Sequence, residues 1–369
     1  MHMLTEKIAN EIVRETSLRL HRNVNIMNMN GKIIATLDKS RIGSIHKGSI
    51  EVLTTGKTLF IHENDNQTWE GAQPGVNLPI VFMDDIIGVI GVTGNPHEMG
   101  DIGELVKMTT ELMIKQEFMD SQMEWKQRTK EMIIDQLLKD DPSPITLEQS
   151  LSLLGLTLSP PYSAIIVEIS KRSVPNRELI QKVEETIGNK NGIVSFINVN
   201  RLFIAIYDID VNEIDHKIKD VYHLLKKLKI IFRMSYSLPF NKLNKFNQSF
   251  KDCEITLEIS EVEKDFASFA QIEAKSLIYQ VDKTVTERFS QRVLKNFDSN
   301  KARTLESFFA NNLNIQQTAN DLYLHRNTLI YRLNKIIDDT GYDPKKFKDA
   351  LILQVALWIF QKSERNNIL

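Results

Sequence analysis

At 369 residues, with 42% hydrophobic and 25% charged side chains, the chain is ordinary globular material, long enough for two or three domains of ~100 to 200 residues each. A formal net charge of -2 excludes a surface-wide polyanion binder, so any contact with nucleic acid has to come from a local patch. The single cysteine, Cys253, excludes an internal disulfide and a cysteine-cluster zinc site and fits a reducing compartment, so a cytoplasmic location is expected. The start, MHMLTEKIANEIVRE, has no basic-then-apolar leader, and Asp84 and Asp85 interrupt the apolar run PIVFMDDIIGVIGV before it reaches spanning length. Neither export nor a membrane partner is expected.

The first hundred residues read as a helix and two hairpins. Leu4, Ile8 and Ile12 recur at helical spacing, and VNIMNMNGKIIATL sets Asn30-Gly31 between two apolar strands, the strongest short-range hairpin signal. A second pair, NLPIVF and IIGVIGV, meets at Met83-Asp84-Asp85. Between the hairpins lie RIGSIHKGSIEVLTTGK and the loop-like EGAQPGVNLPI. This order suits a small antiparallel sensor that holds a ligand between a sheet face and covering loops. The glycines of GVIGVTG precede Asn95-Pro96 rather than a helix, so they fail the dinucleotide context and instead let a ligand or helix approach the strand.

From Glu104 to Asp141 there is neither glycine nor proline, which permits one long helix. Leu105, Met108, Leu112 and Met119 keep a seam spacing that Lys115 and Gln122 interrupt, so a sustained coiled coil is not supported. A linker packed on its own domain and a signalling helix that pairs two subunits both remain open. DDPSPIT, Asp140 to Thr146, ends that helix. The middle region then alternates: YSAIIVEIS as strand, NRELIQKVEETIG as helix, GIVSFINV and RLFIAIYD as paired strands, EIDHKIKDVYHLLKKLK as helix, IIFRMSYSLP as strand. Glu184 and Glu185 read as part of a solvated helix face. From about Ala274 the pattern is wholly helical.

The stretch TANDLYLHRNTLIYRL reads as two short helices around a tight break. Asn314 caps the first, with Gln317 placed to answer it; Ala319 and Leu322 face inward, and Ala319 is small enough for two helices to cross. The break is Tyr323-Leu324-His325, with His325 as the next cap, although many such turns carry glycine at the Tyr323 position. In the second helix Leu329, Leu333 and Ile336 share one side, while Asn327, Thr328, Tyr331, Asn334 and Lys335 face the other, with Arg326 and Arg332 flanking. Asn pairs with adenine, Thr meets a thymine methyl or a phosphate, and the arginines suit backbone phosphates. From Asn314 to Ile336 the charges are Arg326, Arg332 and Lys335 against Asp321, a local net of +2. A final apolar helix, FKDALILQVALWIF, is expected to pack behind with Leu305, Phe308 and Phe309.

TANDLYLHRNTLIYRLNKI followed by Gly341 resembles the C-terminal helix-turn-helix of PucR-type bacterial regulators. NVNIMNMNGKIIATLDKSRIGSIHKGSIEVLTTGK and GVNLPIVFMDDIIGVIGVTGNP resemble the sugar-diacid recognition domain of the carbohydrate diacid regulators. The fold implied is multidomain α+β: a PAS/GAF/Cache-like antiparallel-sheet sensor over 1–118, a linker helix and degenerate nucleotidyl-cyclase-like α+β domain over 119–273, and an all-α helix-turn-helix domain over 274–369. The function that the resemblance implies is a ligand-responsive activator of genes for uptake or catabolism of sugar diacids or short hydroxy acids such as glycerate or glycolate. Its partners would be promoter DNA and a small carboxylate effector, and it would act as a homodimer or higher homo-oligomer on half-sites about one DNA turn apart.

A carboxylate effector asks for positive charge and directed N–H and hydroxyl groups. Arg41, His46 and Lys47, with Ser44 and Ser49, offer them in a segment punctuated by Gly43 and Gly48; Gly75, Val76, Asn77, Leu78 and Pro79 form the second candidate loop. Solvated surface charge remains the competing role for Arg41 and Lys47, and packing or capping for His46. The eight histidines show no ligand spacing, so neither metal nor cofactor is expected. The middle domain resembles the diguanylate cyclase group, whose hairpin carries Gly-Gly-(Asp or Glu)-Glu-Phe. Here that hairpin reads Val199, Asn200, Arg201, Leu202, Phe203, which lacks the glycines that admit nucleotide and the acids that hold metal. A catalytically silent scaffold is expected, with a cyclase carrying a DNA-binding tail, or a ligand-gated scaffold without DNA binding, as the alternatives.

Overall fold

A computed structural model describes residues 4–65, 69, 72–260 and 265–366. The chain forms two compact units, residues 1–127 and 128–369. The first begins with α1 (Glu6–Leu20), capped by Thr5, whose side chain accepts from the Ile8 N–H. There follow β1 (Val24–Met27), β2 (Ile33–Thr36), α2 (Lys47–Thr55), β3 (Leu59–Ile61), β4 (Gly75–Phe82), β5 (Asp85–Thr93) and the start of α3 (Met99–Leu137). The strands make one antiparallel sheet in the order β2-β1-β5-β4-β3.

Both predicted hairpins form. Asn28 and Lys32 close a three-residue loop through Asn28 N–H to Lys32 O, with Gly31 left-handed at φ 70; the Asn28 side chain accepts from the Asn30 and Lys32 N–H groups. The β4–β5 turn holds Met83 and Asp84 at φ 49 and 68, the mirror-image turn that matches strand twist.

Residue alternation gives the sheet two different faces. Ile26, Ala35, Val76, Leu78, Ile80 and Ile90 pack against Ala9 and Ile12 of α1 and Val106 of α3. On the other face Met27, Ile33 and Val89 meet Val52 of α2. The segment Gly75–Pro79 is therefore strand rather than loop: its Gly-Pro-rich approach suggested irregular backbone, but Val76 and Leu78 belong to the helix-covered core. A Cβ added to Gly103 in the first turns of α3 would lie 2.7 Å from Val76 Cγ1, so the glycine lets the helix close onto β4. The long helix thus begins before the glycine-free window, incorporating Gly100 and Gly103.

The second unit contains the end of α3, then α4 (Pro144–Leu154), β6 (Ser163–Lys171), α5 (Asn176–Ile187), β7 (Gly192–Phe196), β8 (Arg201–Ile206), α6 (Val211–Lys227), β9 (Ile231–Tyr236), α7 (Phe246–Ile259) and β10 (Phe266–Ser268). The sheet order is β10-β9-β6-β8-β7. Leu179 and Val183 of α5 and Ile218 and Val221 of α6 cover one face; Ile133 and Leu137 of α3, Leu147 of α4 and Phe246 and Leu257 of α7 cover the other. Helix α4 is missing from the sequence reading, which took DDPSPIT only as a terminator. Ser143 caps it and Pro144 opens it, and a proline in the first turn is as good a start signal as a stop. Glu184 is also misread as solvated: its carboxylate is largely buried against Lys130 of α3 at 2.6 Å.

The remaining helices are α8 (Phe269–Tyr279), α9 (Lys283–Val293), α10 (Ser299–Ala310), α11 (Ile315–Asp321), α12 (Arg326–Thr340) and α13 (Phe347–Asn366). As expected, Leu305 and Phe309 pack with Leu353, Ala356 and Leu357 of α13. Phe308 differs: it anchors Ala319, Leu329 and Leu333 instead. Among the described residues no helix is long and apolar enough to cross a membrane.

Candidate nucleic-acid interface and effector site

The pair α11–α12 has helix-turn-helix construction. Asn314 Oδ1 accepts from the Gln317 N–H at 3.1 Å, and Thr318, fully buried, donates its hydroxyl to Asn314 O at 2.7 Å. Ala319 lies without exposure at the crossing, against Phe308, Leu329 and Leu333. The break is a Schellman closure: Leu324 N–H reaches Ala319 O at 2.8 Å and Tyr323 N–H reaches Asn320 O at 3.1 Å. Tyr323 occupies the left-handed position at φ 54 that glycine usually fills, and its side chain is 95% exposed. His325 then caps α12, its Nδ1 accepting from the Asn327 N–H at 3.3 Å, which leaves the ring proton on Nε2.

The structure brings the predicted recognition residues together. Arg326, Asn327, Thr328, Tyr331, Asn334 and Lys335 are exposed and Arg332 is half-buried, while Leu329, Leu333 and Ile336 face the core. Among the described residues, Arg326, Arg332 and Lys335 make no ion pair, so their charges are available to phosphate. Sequence reasoning missed two supports. Lys301 of α10 pairs with Asp339 of α12 at 2.6 Å, and Asn311 Nδ2 donates to Asp321 Oδ2 at 2.7 Å, tying the first helix to its neighbour. It also overlooked Asp338, exposed on the outward face one turn beyond Asn334. An acid there disfavours phosphate at the C-terminal end, so the chemistry favours entry by the N-terminal turn.

In the first unit, the candidate effector residues separate into two groups. Asp38 opens a single 3-10 turn, Lys39–Arg41, that presents Arg41; Ser44 is exposed and spends its hydroxyl on Arg41 O at 2.7 Å. His46 stands at the N-cap of α2 without making a side-chain cap bond. Its Nδ1 is buried and has no hydrogen-bond partner. Burial, with the nearby Arg41 charge adding to it, pulls the imidazole down to about 4, so the ring is neutral at ordinary pH. Ser49 is fully buried and holds α2 in place, donating to His46 O at 2.6 Å with Gly31 O at 3.3 Å. Lys47 is exposed in the first turn.

On β4, Gly75, Asn77 and Pro79 point toward the α2 face, opposite to Val76 and Leu78. The latter two are walled off behind the sheet and do not reach the α2 side. In register, Thr36, Asn25, Gly91, Asn77 and Leu59 form one row across all five strands. Asn25, Asn77 and Thr36 are all buried, an uncommon polar line on a covered sheet face. The alignment of Asn25 and Thr36 with Asn77 was not legible in the sequence, because only strand pairing produces it.

In the middle domain, the turn between β7 and β8 is closed by Asn198 Oδ1, which accepts from the Asn200 and Arg201 N–H groups. Arg201 extends its guanidinium to Glu168 of β6 at 2.9 Å and Glu254 of α7 at 3.1 Å. No glycine or acid stands at the turn, and the cation there is already neutralised by carboxylates. Among the described residues no cluster of histidine, cysteine and acids could hold a metal ion.

Three family models match the chain: putative sugar diacid recognition over residues 4–137, GGDEF-like domain over 139–259, and PucR C-terminal helix-turn-helix domain over 302–359. The chain is 27% identical over 374 residues to the carbohydrate diacid regulator of Escherichia coli (strain K12), covering 96% of this chain and 97% of that protein. It is 26% identical over 364 residues to the uncharacterized protein YsfB of Bacillus subtilis (strain 168), covering 97% and 98%. A crystal structure of a regulator of polyketide synthase expression from Bifidobacterium adolescentis superposes at 16% identity and a TM-score of 0.32, covering 64% of this chain and 99% of that one.

Proposed function

The chain belongs to the carbohydrate diacid regulator family of bacterial transcription factors, with a PucR-type C-terminal helix-turn-helix, and from that premise we propose a ligand-responsive activator of genes for uptake or catabolism of sugar diacids or short hydroxy acids such as glycerate or glycolate. The observation that carries the DNA-binding half is α12: a capped helix whose outward side offers Asn327, Thr328, Tyr331, Asn334 and three unpaired cations. The effector half is read from Arg41, Ser44, His46, Lys47, Ser49 and the α2-facing residues of Gly75–Pro79, with the antiparallel sheet taken as a PAS/GAF/Cache-type sensor. We take the domain limits as 1–118, 119–273 and 274–369, and the location as cytoplasmic.

The protein acts as a dimer in this reading. One helix-turn-helix with so few phosphate contacts binds weakly, and a second half-site one turn away supplies the missing counterion release. The stripe Leu105, Met108, Leu112 and Met119 on α3, each at least half exposed, supports a pairing surface. The middle domain is not catalytic: Arg201 stands where a cyclase would need acids, and turnover of nucleoside triphosphate by the purified protein would overturn this.

The test is fluorescence anisotropy with DNA from upstream of its own gene, titrated with the full-length protein in the absence and presence of glycerate, glycolate, glucarate and galactarate. Saturable binding at physiological salt that a carboxylate modulates supports the reading. Binding no tighter than to random DNA, with or without any of the acids, sinks it.

A further inference from the structure

Tyr323 stands in a conformation that its own side chain resists. The turn between α11 and α12 demands the left-handed backbone region, and Tyr323 meets it at φ 54, where the Cβ of an L-residue crowds the following carbonyl. Glycine is free of that penalty. A strained residue persists where something outside the local backbone holds it, most often at a functional site. Nothing in the chain does so here: the ring is 95% exposed, and among the described residues the side chain makes no hydrogen bond or ring contact. The turn is closed by main-chain bonds alone, Leu324 N–H to Ala319 O at 2.8 Å and Tyr323 N–H to Asn320 O at 3.1 Å, which do not call for a phenol.

Two residues on, His325 offers a second donor. Its Nδ1 accepts the Asn327 N–H at 3.3 Å, so the neutral ring carries its proton on Nε2, and the residue is exposed. Arg326, also exposed, follows at once. The nearest acid, Asp321, is engaged with α10 through Asn311 Nδ2 at 2.7 Å. From Tyr323 to Arg326 the chain therefore presents a phenolic O–H, an imidazole N–H and a guanidinium, with no carboxylate among them. In helix-turn-helix docking the first helix crosses the sugar-phosphate backbone and the second enters the major groove by its N-terminal residues. The turn that joins them lies at the edge of the groove, over phosphates.

Resting on the DNA-binding reading above, we propose that the Tyr323 hydroxyl and the His325 Nε2–H donate to backbone phosphates at the rim of the half-site and so seat α12 in the groove. Both are uncharged donors of the kind that contacts phosphate oxygens. They fix position and register without reading bases, and since they neutralise no phosphate they release no counterion. Arg326 differs in its charge and Asn327 in its reach to a base edge. A glycine at Tyr323 would relax the turn and leave its phosphate without that donor.

The experiment is fluorescence anisotropy with the full-length protein and DNA from upstream of its own gene, over a salt series, on the wild type, Tyr323→Phe, Tyr323→Gly and His325→Asn, with the melting temperature of each. The asparagine substitution keeps an N-cap and withdraws the distal N–H. Tyr323→Phe and His325→Asn should bind about tenfold more weakly, the effect of one hydrogen bond to a charged acceptor, with the melting temperature and the slope of log K against log salt unchanged. Tyr323→Gly should bind as weakly while melting higher, a combination that a merely structural role for the ring does not produce. Tyr323→Phe keeps ring and backbone, so it decides the matter should either other variant misfold. Wild-type affinity in Tyr323→Phe overturns this inference and leaves the DNA-binding reading standing. Wild-type protein that binds this DNA no tighter than random DNA overturns both.

Discussion

Lys130 of α3 and Glu184 of α5 form a two-pronged ion pair, with Nζ 2.6 Å from Oε1 and 2.8 Å from Oε2 and both side chains mostly buried. The C-terminal part of α3, which lies within the second unit, is thereby fixed to the GGDEF-like domain by charge as well as by Ile133, Ile134 and Leu137. Removing one partner strands the other in a poorly hydrated site. Glu184→Gln and Lys130→Met should each lower stability by about 1–3 kcal/mol in urea denaturation, and the double variant should lose less than their sum. Unchanged midpoints would show that the pair contributes nothing.

The two residues that open α12 should fail differently. Arg326→Ala removes a phosphate contact, so affinity drops for every sequence and the slope of log K against log salt falls by about one. Asn327→Ala removes a base-edge reader, so it should cost about 1–3 kcal/mol on the operator and almost nothing on random DNA. Anisotropy titrations across a salt series separate them. Equal loss on both kinds of DNA for Asn327→Ala would place that residue on the backbone instead.

Tyr323 pays backbone strain in its left-handed turn and buries almost nothing in return. Tyr323→Gly should therefore stabilise the C-terminal helices by up to about 1 kcal/mol, the relief of an unfavourable φ less the added entropy of the unfolded chain. Urea denaturation followed by helical circular dichroism reports it. A destabilised variant would mean that the exposed ring has a partner in the native protein.

His46 gives the stability of the first unit a pH dependence of definite sign. Its folded value of about 4 lies below the ordinary 6.5, so the unfolded chain binds the proton more readily. The stabilisation is complete above about 6.5 and is lost as pH falls through 4. Burial is the larger cause and the Arg41 charge acts in the same direction. Melting temperatures of the wild type should fall across this window faster than those of His46→Gln. Parallel profiles would refute the assignment.

How much could be read in advance follows from how local each feature is. The helix-turn-helix was legible because its determinants sit within about twenty residues: Asn314 and His325 as caps, Ala319 at the crossing, Leu329, Leu333 and Ile336 at helical period. Tyr323 was even identified as the position where glycine would be expected. The structure of the candidate effector region was legible only in part. Glycine punctuation drew attention to His46 and Ser49 as candidates, but Gly75–Pro79 passed for a loop because its flanking Gly and Pro signal turns, and strand alternation was needed to separate Asn77 from Val76 and Leu78. Asn25 and Thr36 could not be joined to Asn77 without knowing which strands pair. The ion pair at Glu184 was hidden for the same reason, its partner lying far away in the chain.

Strand β4 is one residue thick, and that thinness has a mechanical meaning. Asn77 presses on the α2 side while its immediate neighbours Val76 and Leu78 press on Gly103 of α3, and at the bulge near Ile80 the freed Val81 N–H is taken by Glu111 of α3 at 2.8 Å. The peptide units that hold Asn77 on one side are thus the ones on which α3 rests on the other, so any displacement of β4 at Asn77 would be felt by α3 directly, through a single strand, as by a push rod fixed to the back of a diaphragm.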